Sequence, residues 1–340
     1  MVLPKNRLPL PLLAGAAIVL TVLFSFLFIP GLNTSSRITS LTVHRGTGFN
    51  AILQELRRRG TISEIWPAHL TALIIPKLHH VKAGRYTIPP NMSNFGLLYY
   101  LHTHPLDEVR VTLPEGLSRA QVARILSKNL ALDSTGFMNA SSDKKLLAKY
   151  RITASDAEGY LFPGTYNFAW ATTPREAVGF LVGQFNHFFT DSLKNVASKR
   201  GLTKTEVLAL ASIVEAETPV HDEKPVVASV YLNRLKIKMR LQADPTVQYA
   251  LGGTARQLYY KDLWVDSPYN TYRHNGLPPG PVCNPGSASI LAVLNPAETR
   301  FLYFVATGKG GHYFAESLAG HRLNIKKYRA IQHDEPDTEK

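Results

Sequence analysis

Two carboxylates, Glu215 and Glu217, lie near the end of the run "LALASIVEAETPV" (208–220), which up to Val214 is apolar apart from Ser212. Thr203 and Glu206 form the pattern of a capping box ahead of it, and Pro219 is a stop signal, so the stretch between reads as a helix. A helix that is apolar on every side is a buried one. A carboxyl at its C-terminal end meets two forces that favour the protonated form. Apolar neighbours disfavour charge, and the helix end carries partial negative charge. A carboxylic acid that holds its proton near neutral pH is a general acid. Glu215 follows Leu208 and Ala211 at i+7 and i+4 and is expected to reach a cleft, whereas Glu217 points elsewhere and is expected to be a solvated end residue. The competing reading of Glu215, a side chain fraying into water, stays open on the residues alone.

Further polar groups follow in order. "KPVVASVYLNRLKI" (224–237) reads as a second helix that carries Tyr231, Asn233 and Arg234. "MRLQADPTVQYALG" (239–252) places Gln242, Asp244 and Thr246 in alternation around an Asp-Pro turn. "SPYNTYRHNGLPPGPVCNPG" (267–286) mixes Tyr269, Asn270 and Tyr272 with Arg273 and Asn275. Ring faces among short amides and hydroxyls suit sugars, and they equally suit a structural tyrosine–proline loop. "LYFVATGKGGHYF" (302–314) reads as a hairpin; it is not a phosphate loop, because no helix follows the glycines.

Other chemistries are excluded or weak. One cysteine, Cys283, in 340 residues rules out an internal disulfide or a Cys-x-x-Cys pair, and its proline-rich loop offers nothing to activate a thiol. His79–His80 and His102/His104 lack metal-site spacing, so no metal and no cofactor is expected. The net charge of +13 invites a nucleic-acid reading, but Lys and Arg are scattered and no binding signature is present.

The elements that hold these residues begin at the N-terminus. Leu8–Ile29 carries no charge after Lys5 and Arg7, long enough to cross a bilayer as a helix, with the N-terminus cytoplasmic. A cleaved signal peptide is the rival, and "FIPGLNTSSR" offers no good cleavage site. "LTVHRGTGFNAILQEL" (41–56) and "VRVTLPEGLSRAQVARIL" (109–126) both read as strand, glycine turn and amphipathic helix. Aligning Gly46 with Gly116 also aligns Ile52 with Val122 and Leu56 with Leu126, a repeated unit. The expected fold class is α+β. The expected divisions are a cytoplasmic stub and transmembrane anchor (1–30), a first strand–helix subdomain (38–105), a second unit with a helical connector (106–200), a helix-and-hairpin domain (201–332) and a disordered tail (333–340).

Taken together, "LASIVEAET", "VASVYLNRL", "MRLQADPTVQYALG", the 267–286 loop, the 302–314 hairpin and "EGYLFPGTYNF" (158–168) resemble the endolytic murein transglycosylases, the YceG-like proteins. The resemblance spans nearly the whole chain, and the strand–helix units look like that family's LysM-like region. It implies a lyase on the outer side of the cytoplasmic (inner) membrane, anchored through residues 8–29. The lyase would cut nascent peptidoglycan strands between N-acetylmuramic acid and N-acetylglucosamine and leave a 1,6-anhydro end. The family's catalytic glutamate is carried over to Glu215, acting as acid and then as base. Tyr231, Asn233, Gln242, Asp244, Tyr269, Asn270 and Tyr272 are expected to position the glycan, and peptidoglycan synthases are expected partners. The Arg273–His274 pair and Cys283 sit where members vary. Two rivals remain: a muramidase that uses water with Asp244 or Glu217 as second carboxylate, and a non-enzymatic glycan-binding scaffold.

Overall fold

The computed structural model describes residues 10–104, 108–253 and 256–334. Lys5 and Arg7, and most of the expected disordered tail, lie outside them. Two compact units result: the chain up to Val109 together with Asn167–Thr172, and Arg110–Tyr166 together with the chain from Thr173. Helices and three two-stranded sheets make up the described residues, an α+β protein.

In the first unit the order is α1 (Leu10–Phe28), β1 (Thr39–Val43), α2 (Phe49–Arg58), α3 (Trp66–Ile74), β2 (Gly84–Ile88) and α4 (Asn94–Thr103). β1 and β2 are antiparallel, with Leu41 opposite Tyr86 and Thr39 opposite Ile88. The period of two turns Leu41, Val43, Tyr86 and Ile88 inward onto Ile52, Leu53 and Leu56 of α2 and Leu97, Leu98 and Leu101 of α4. Among the described residues no helix is long and apolar enough to cross a membrane. The last turn of α1 packs on this unit: the Phe26 ring lies 4.9 Å from Trp66, the Phe28 ring 5.7 Å from Phe95, and Asn94 donates to the Phe26 carbonyl.

Along the chain there follow β3 (Glu108–Leu113), α5 (Arg119–Asn129), α6 (Ser134–Ala140), α7 (Lys144–Lys149) and β4 (Gly164–Ala169), with β3 paired to β4. The repeat seen in the sequence is structural. Gly46 and Gly116 both take positive φ, +80° and +77°, a turn that favours glycine, and the aligned pairs Ile52/Val122 and Leu56/Leu126 are all buried. The chain continues through α8 (Pro174–Phe188), α9 (Asp191–Lys199), α10 (Lys204–Glu217), α11 (Lys224–Lys236), α12 (Asp244–Ala250) and α13 (Ser287–Leu294). The antiparallel hairpin β5 (Tyr303–Ala306) and β6 (His312–Ala315) and helix α14 (Leu318–Asp334) end it. The Asp-Pro "turn" is the first turn of α12, where a proline at the start of a helix costs nothing. α10 is the hub. Its capping box forms as expected, Val207–Val214 are all buried, and α11, α12 and α13 pack around it.

Candidate active site

The two carboxylates at the end of α10 part company, because residues two apart point roughly 200° apart around a helix. Glu215 turns inward. Lys224 Nζ donates to its Oε1 at 2.9 Å, and the Gly286 N–H and Ser289 Oγ donate to its Oε2 at 2.9 and 2.7 Å. The side chains of this ion pair are 8 % and 2 % exposed. Glu115 also approaches Lys224, at 3.7 Å, and its carboxyl lies where a Cβ on residue 286 would be, so a side chain there would displace the Glu115 carboxyl. Glu215 thus joins the end of α10, the start of α11 and the N-terminus of α13. It is not the cleft-facing acid the sequence reading expected. Every donor it meets comes from elsewhere in the chain.

Glu217, expected to be solvated, instead lines a cleft of about 360 Å³. Burial pushes its carboxyl up to about 7. The Tyr231 hydroxyl donates to its Oε1 at 2.6 Å, and the charge of Arg234 also acts downward, while the negative charge of Asp244 acts upward. α11 supplies both Tyr231 and Arg234. Tyr231 is fully buried, with its ring edge-on to Phe304 of β5 at 5.9 Å. Arg234 donates to the carbonyls of Leu302 and Leu241 and faces the Tyr303 ring at 5.5 Å, so it ties the hairpin to the cleft wall.

Gln242, Asp244 and Tyr272 line the same cleft. The Tyr272 hydroxyl donates to Asp244 Oδ1 at 2.6 Å. Gln242 has φ +49° and donates its N–H to the Thr271 carbonyl at 3.2 Å. A non-glycine residue held in the left-handed region is strained, and such strain collects at functional sites. Gln242→Gly should therefore leave stability unchanged or raise it by about 1 kcal/mol, while lowering turnover; thermal melting and a glycan cleavage assay would check both. Leu318 and His321 of α14 complete the lining. His321 stacks on Tyr303 at 5.2 Å, and burial lowers its pKa, so a neutral imidazole faces the cleft.

The remaining expected contacts fall elsewhere. Asn233 donates to the Thr299 and Phe301 carbonyls and secures α11 to the chain ahead of β5. Asn270 is fully buried; its amide holds the Leu263 and Val265 carbonyls and its Oδ1 accepts from the Tyr272 N–H. It shapes the loop rather than facing the cleft. Tyr269 packs on Tyr249 at 4.7 Å. Cys283 is buried with its thiol pushed far up by burial, which fits an inert loop residue. Arg234, Tyr303, Phe304 and His321 were not among the expected site residues. Arg234 carried a signal, sharing a helix face with Tyr231, and Tyr303 and Phe304 lie in the 302–314 hairpin motif.

A second carboxyl, Glu158, is also raised to about 7 by burial. It is 5 % exposed, and one of its oxygens accepts from the Arg119 N–H and the Asn284 amide, so its role is internal.

The model of the YceG-like family matches residues 41–327. The chain belongs to that family. It is 40 % identical over 171 residues to an endolytic murein transglycosylase of Bacillus subtilis, covering 50 % of this chain and 48 % of that protein. It is 29 % identical over 280 residues to an endolytic murein transglycosylase of Streptococcus pneumoniae, covering 73 % and 51 %. The chain thus spans about half the length of these curated relatives. The crystal structure of a putative YceG-like protein from Listeria monocytogenes is similar to it, with TM-score 0.59 and 28 % identity over 85 % of this chain and 99 % of that one. Within this YceG-like chain the family match takes in every residue that lines the cleft.

Proposed function

We propose that this chain is a lytic transglycosylase of peptidoglycan with Glu217, rather than Glu215, as its acid and base. The observation that carries the reading is a carboxyl raised to about 7 in a cleft lined also by tyrosine hydroxyls, an amide, aromatic rings and the charged side chains of Arg234 and Asp244. The names of the relatives support the substrate class.

Glu217 gives its proton to the glycosidic oxygen as the bond from C1 of the muramyl residue breaks. The C6 hydroxyl of the same residue then attacks C1, its proton passes to Glu217, and a 1,6-anhydro end forms. No water is consumed and the carboxyl is restored. Acid and base steps are sequential, so one group serves both, and the nucleophile is tethered to its target. Tyr231 fixes the carboxyl's orientation. Arg234 makes the carboxylate tolerable once the proton has left. Asp244, held by Tyr272, lends negative charge to the oxocarbenium-like transition state. Gln242 offers an amide to the substrate.

One observation favours the hydrolytic alternative: Asp244 lines the same cleft as Glu217, so a second carboxyl is at hand. Mass spectrometry of purified glycan strands digested by the full chain in detergent separates the two. Anhydro ends, one water lighter than reducing ends, are expected; reducing ends alone would mean a hydrolase.

Because the acid must start protonated, kcat/KM should fall as pH rises through about 7. A flat profile between pH 6 and 8.5 would remove Glu217 from that role.

The proposal includes anchoring. Ile18, Val19, Leu20, Val22 and Phe24 of α1 are 50–66 % exposed, an apolar surface suited to lipid. With Lys5 and Arg7 cytoplasmic, the catalytic part would work outside the cytoplasmic membrane on nascent strands beside the synthases, and the first unit would hold glycan as LysM-like modules do.

A further inference from the structure

The segment Arg256–Val265 carries three aromatic rings in six residues, and each is turned to solvent: Tyr259 is 58 % exposed, Tyr260 89 % and Trp264 74 %. Single exposed rings need no explanation, but a cluster of large exposed rings on a rigid segment marks a contact surface. The backbone under these rings is firmly held. Arg256 grips Asp262 with two hydrogen bonds of 2.8 Å, and the Tyr259 N–H donates to the same carboxyl at 2.8 Å. The Asn270 amide holds the Leu263 and Val265 carbonyls at 2.9 Å. Arg273 donates to the Trp264 carbonyl at 3.2 Å and to Asp266 at 3.1 Å.

These ties lead to the cleft. Asn270 Oδ1 accepts the N–H of Tyr272, whose hydroxyl holds Asp244 beside Glu217. The ring-bearing segment and the cleft wall therefore share one framework. The cleft itself, at about 360 Å³, is at the small end of ligand pockets and seats only a short part of a polymer. An enzyme that cuts inside a strand needs a hold on sugars beyond it.

We propose that Tyr259, Tyr260 and Trp264 form an outlying sugar subsite, where ring faces stack on the C–H faces of pyranose rings in the glycan strand next to the scissile bond. The inference rests on the proposed glycan substrate and adds where a longer strand is gripped. Sugars fit better than lipid or an apolar peptide. The rings are spaced along polar backbone, the Arg256–Asp262 pair beneath them is mutually neutralised, and the exposed Lys261 between Tyr260 and Trp264 is a hydrogen-bond donor, which together suit a ligand that is apolar on its face and polar at its edge. Because the platform is already ordered, little entropy is lost on binding.

The test uses the full chain in detergent carrying Glu217→Gln, so that bound strands stay intact. Affinity is measured for a disaccharide–tetrasaccharide set and for long glycan strands, with and without Tyr260→Ala and Trp264→Ala. Losing two stacking rings should weaken long-strand binding about tenfold or more, leave short-oligosaccharide binding unchanged and leave the melting temperature unchanged. Trp264→Phe should recover most of the loss. In the otherwise wild-type chain, KM for long strands should rise while kcat holds. Unchanged long-strand affinity in the double variant, with wild-type cleavage intact, would overturn the subsite alone. Equal loss for short and long ligands would also overturn it, because the cleft itself would then have been disturbed. Failure of the wild type to bind or cleave any glycan would overturn the proposed activity and the subsite with it.

Discussion

Glu217→Gln should reduce glycan cleavage about a thousandfold or more while the protein stays folded and still binds strands. The amide is nearly isosteric and can accept the Tyr231 hydroxyl's hydrogen bond, so the cleft keeps its shape, but it has no acidic proton to give. Stability should change with a definite sign. The folded-state pKa of about 7 lies above the carboxyl's ordinary 4.5. The favourable, protonated form is therefore complete below about 4.5 and is lost as pH rises through about 7. Above that the wild type carries a buried charge that the glutamine variant lacks. The variant should thus be more stable than the wild type at pH 8, by about 1–3 kcal/mol, and equal to it at pH 4. Denaturant titrations at the two pH values would show this. A variant that is inactive and also less stable at both would mean that Glu217 is a structural residue.

Glu215→Gln should do the opposite: a large loss of stability with catalysis retained in the folded fraction. Lys224 would lose its partner at 2.9 Å in a site where its side chain is 2 % exposed, leaving Glu115 at 3.7 Å as its carboxylate among the described residues. Breaking a buried pair by removing one partner costs about 3 kcal/mol or more, most of it the penalty of the orphaned charge. Removing the other partner as well, in Glu215→Gln/Lys224→Met, should recover much of the loss. That recovery would separate the orphaned charge from lost packing. Urea midpoints for the two single variants and the double variant measure it. A Glu215→Gln protein that melts like the wild type but cuts nothing would restore Glu215 as the acid, so the pair of glutamate variants decides the assignment.

Much of this protein was legible without coordinates. The capping box at Thr203, the all-round apolar run after it and the stop at Pro219 are local signals, and α10 follows them residue by residue. The repeated strand–glycine–helix unit was legible for the same reason. A positive-φ turn and an amphipathic face are short-range requirements, met alike at Gly46 and Gly116. Helices α3, α9, α13 and α14 have no counterpart in the sequence reading. α13 packs against α10 and α11, and α14 covers the hairpin, so tertiary packing rather than local pattern marks these two.

The choice between the two carboxylates shows where local reasoning ends. The positions one and two turns before Glu215 are Ala211 and Leu208, and those before Glu217 are Ile213 and Leu210; all four are buried. With apolar residues on every face, helical periodicity could not say which glutamate met an internal partner and which met a cleft. Partners from separate segments made that choice: Lys224 after the 218–223 turn, Gly286 and Ser289 some seventy residues on, and for Glu217 the Tyr231 hydroxyl. The sequence by itself determined that a buried helix would end in an acid, because burial and capping are properties of neighbouring residues. Only the tertiary structure decided which acid is neutralised and which is left raised in a cleft. A pKa is set by the charges and donors within a few ångströms in space, and here those arrive from other segments of the chain, 9 to 74 residues on.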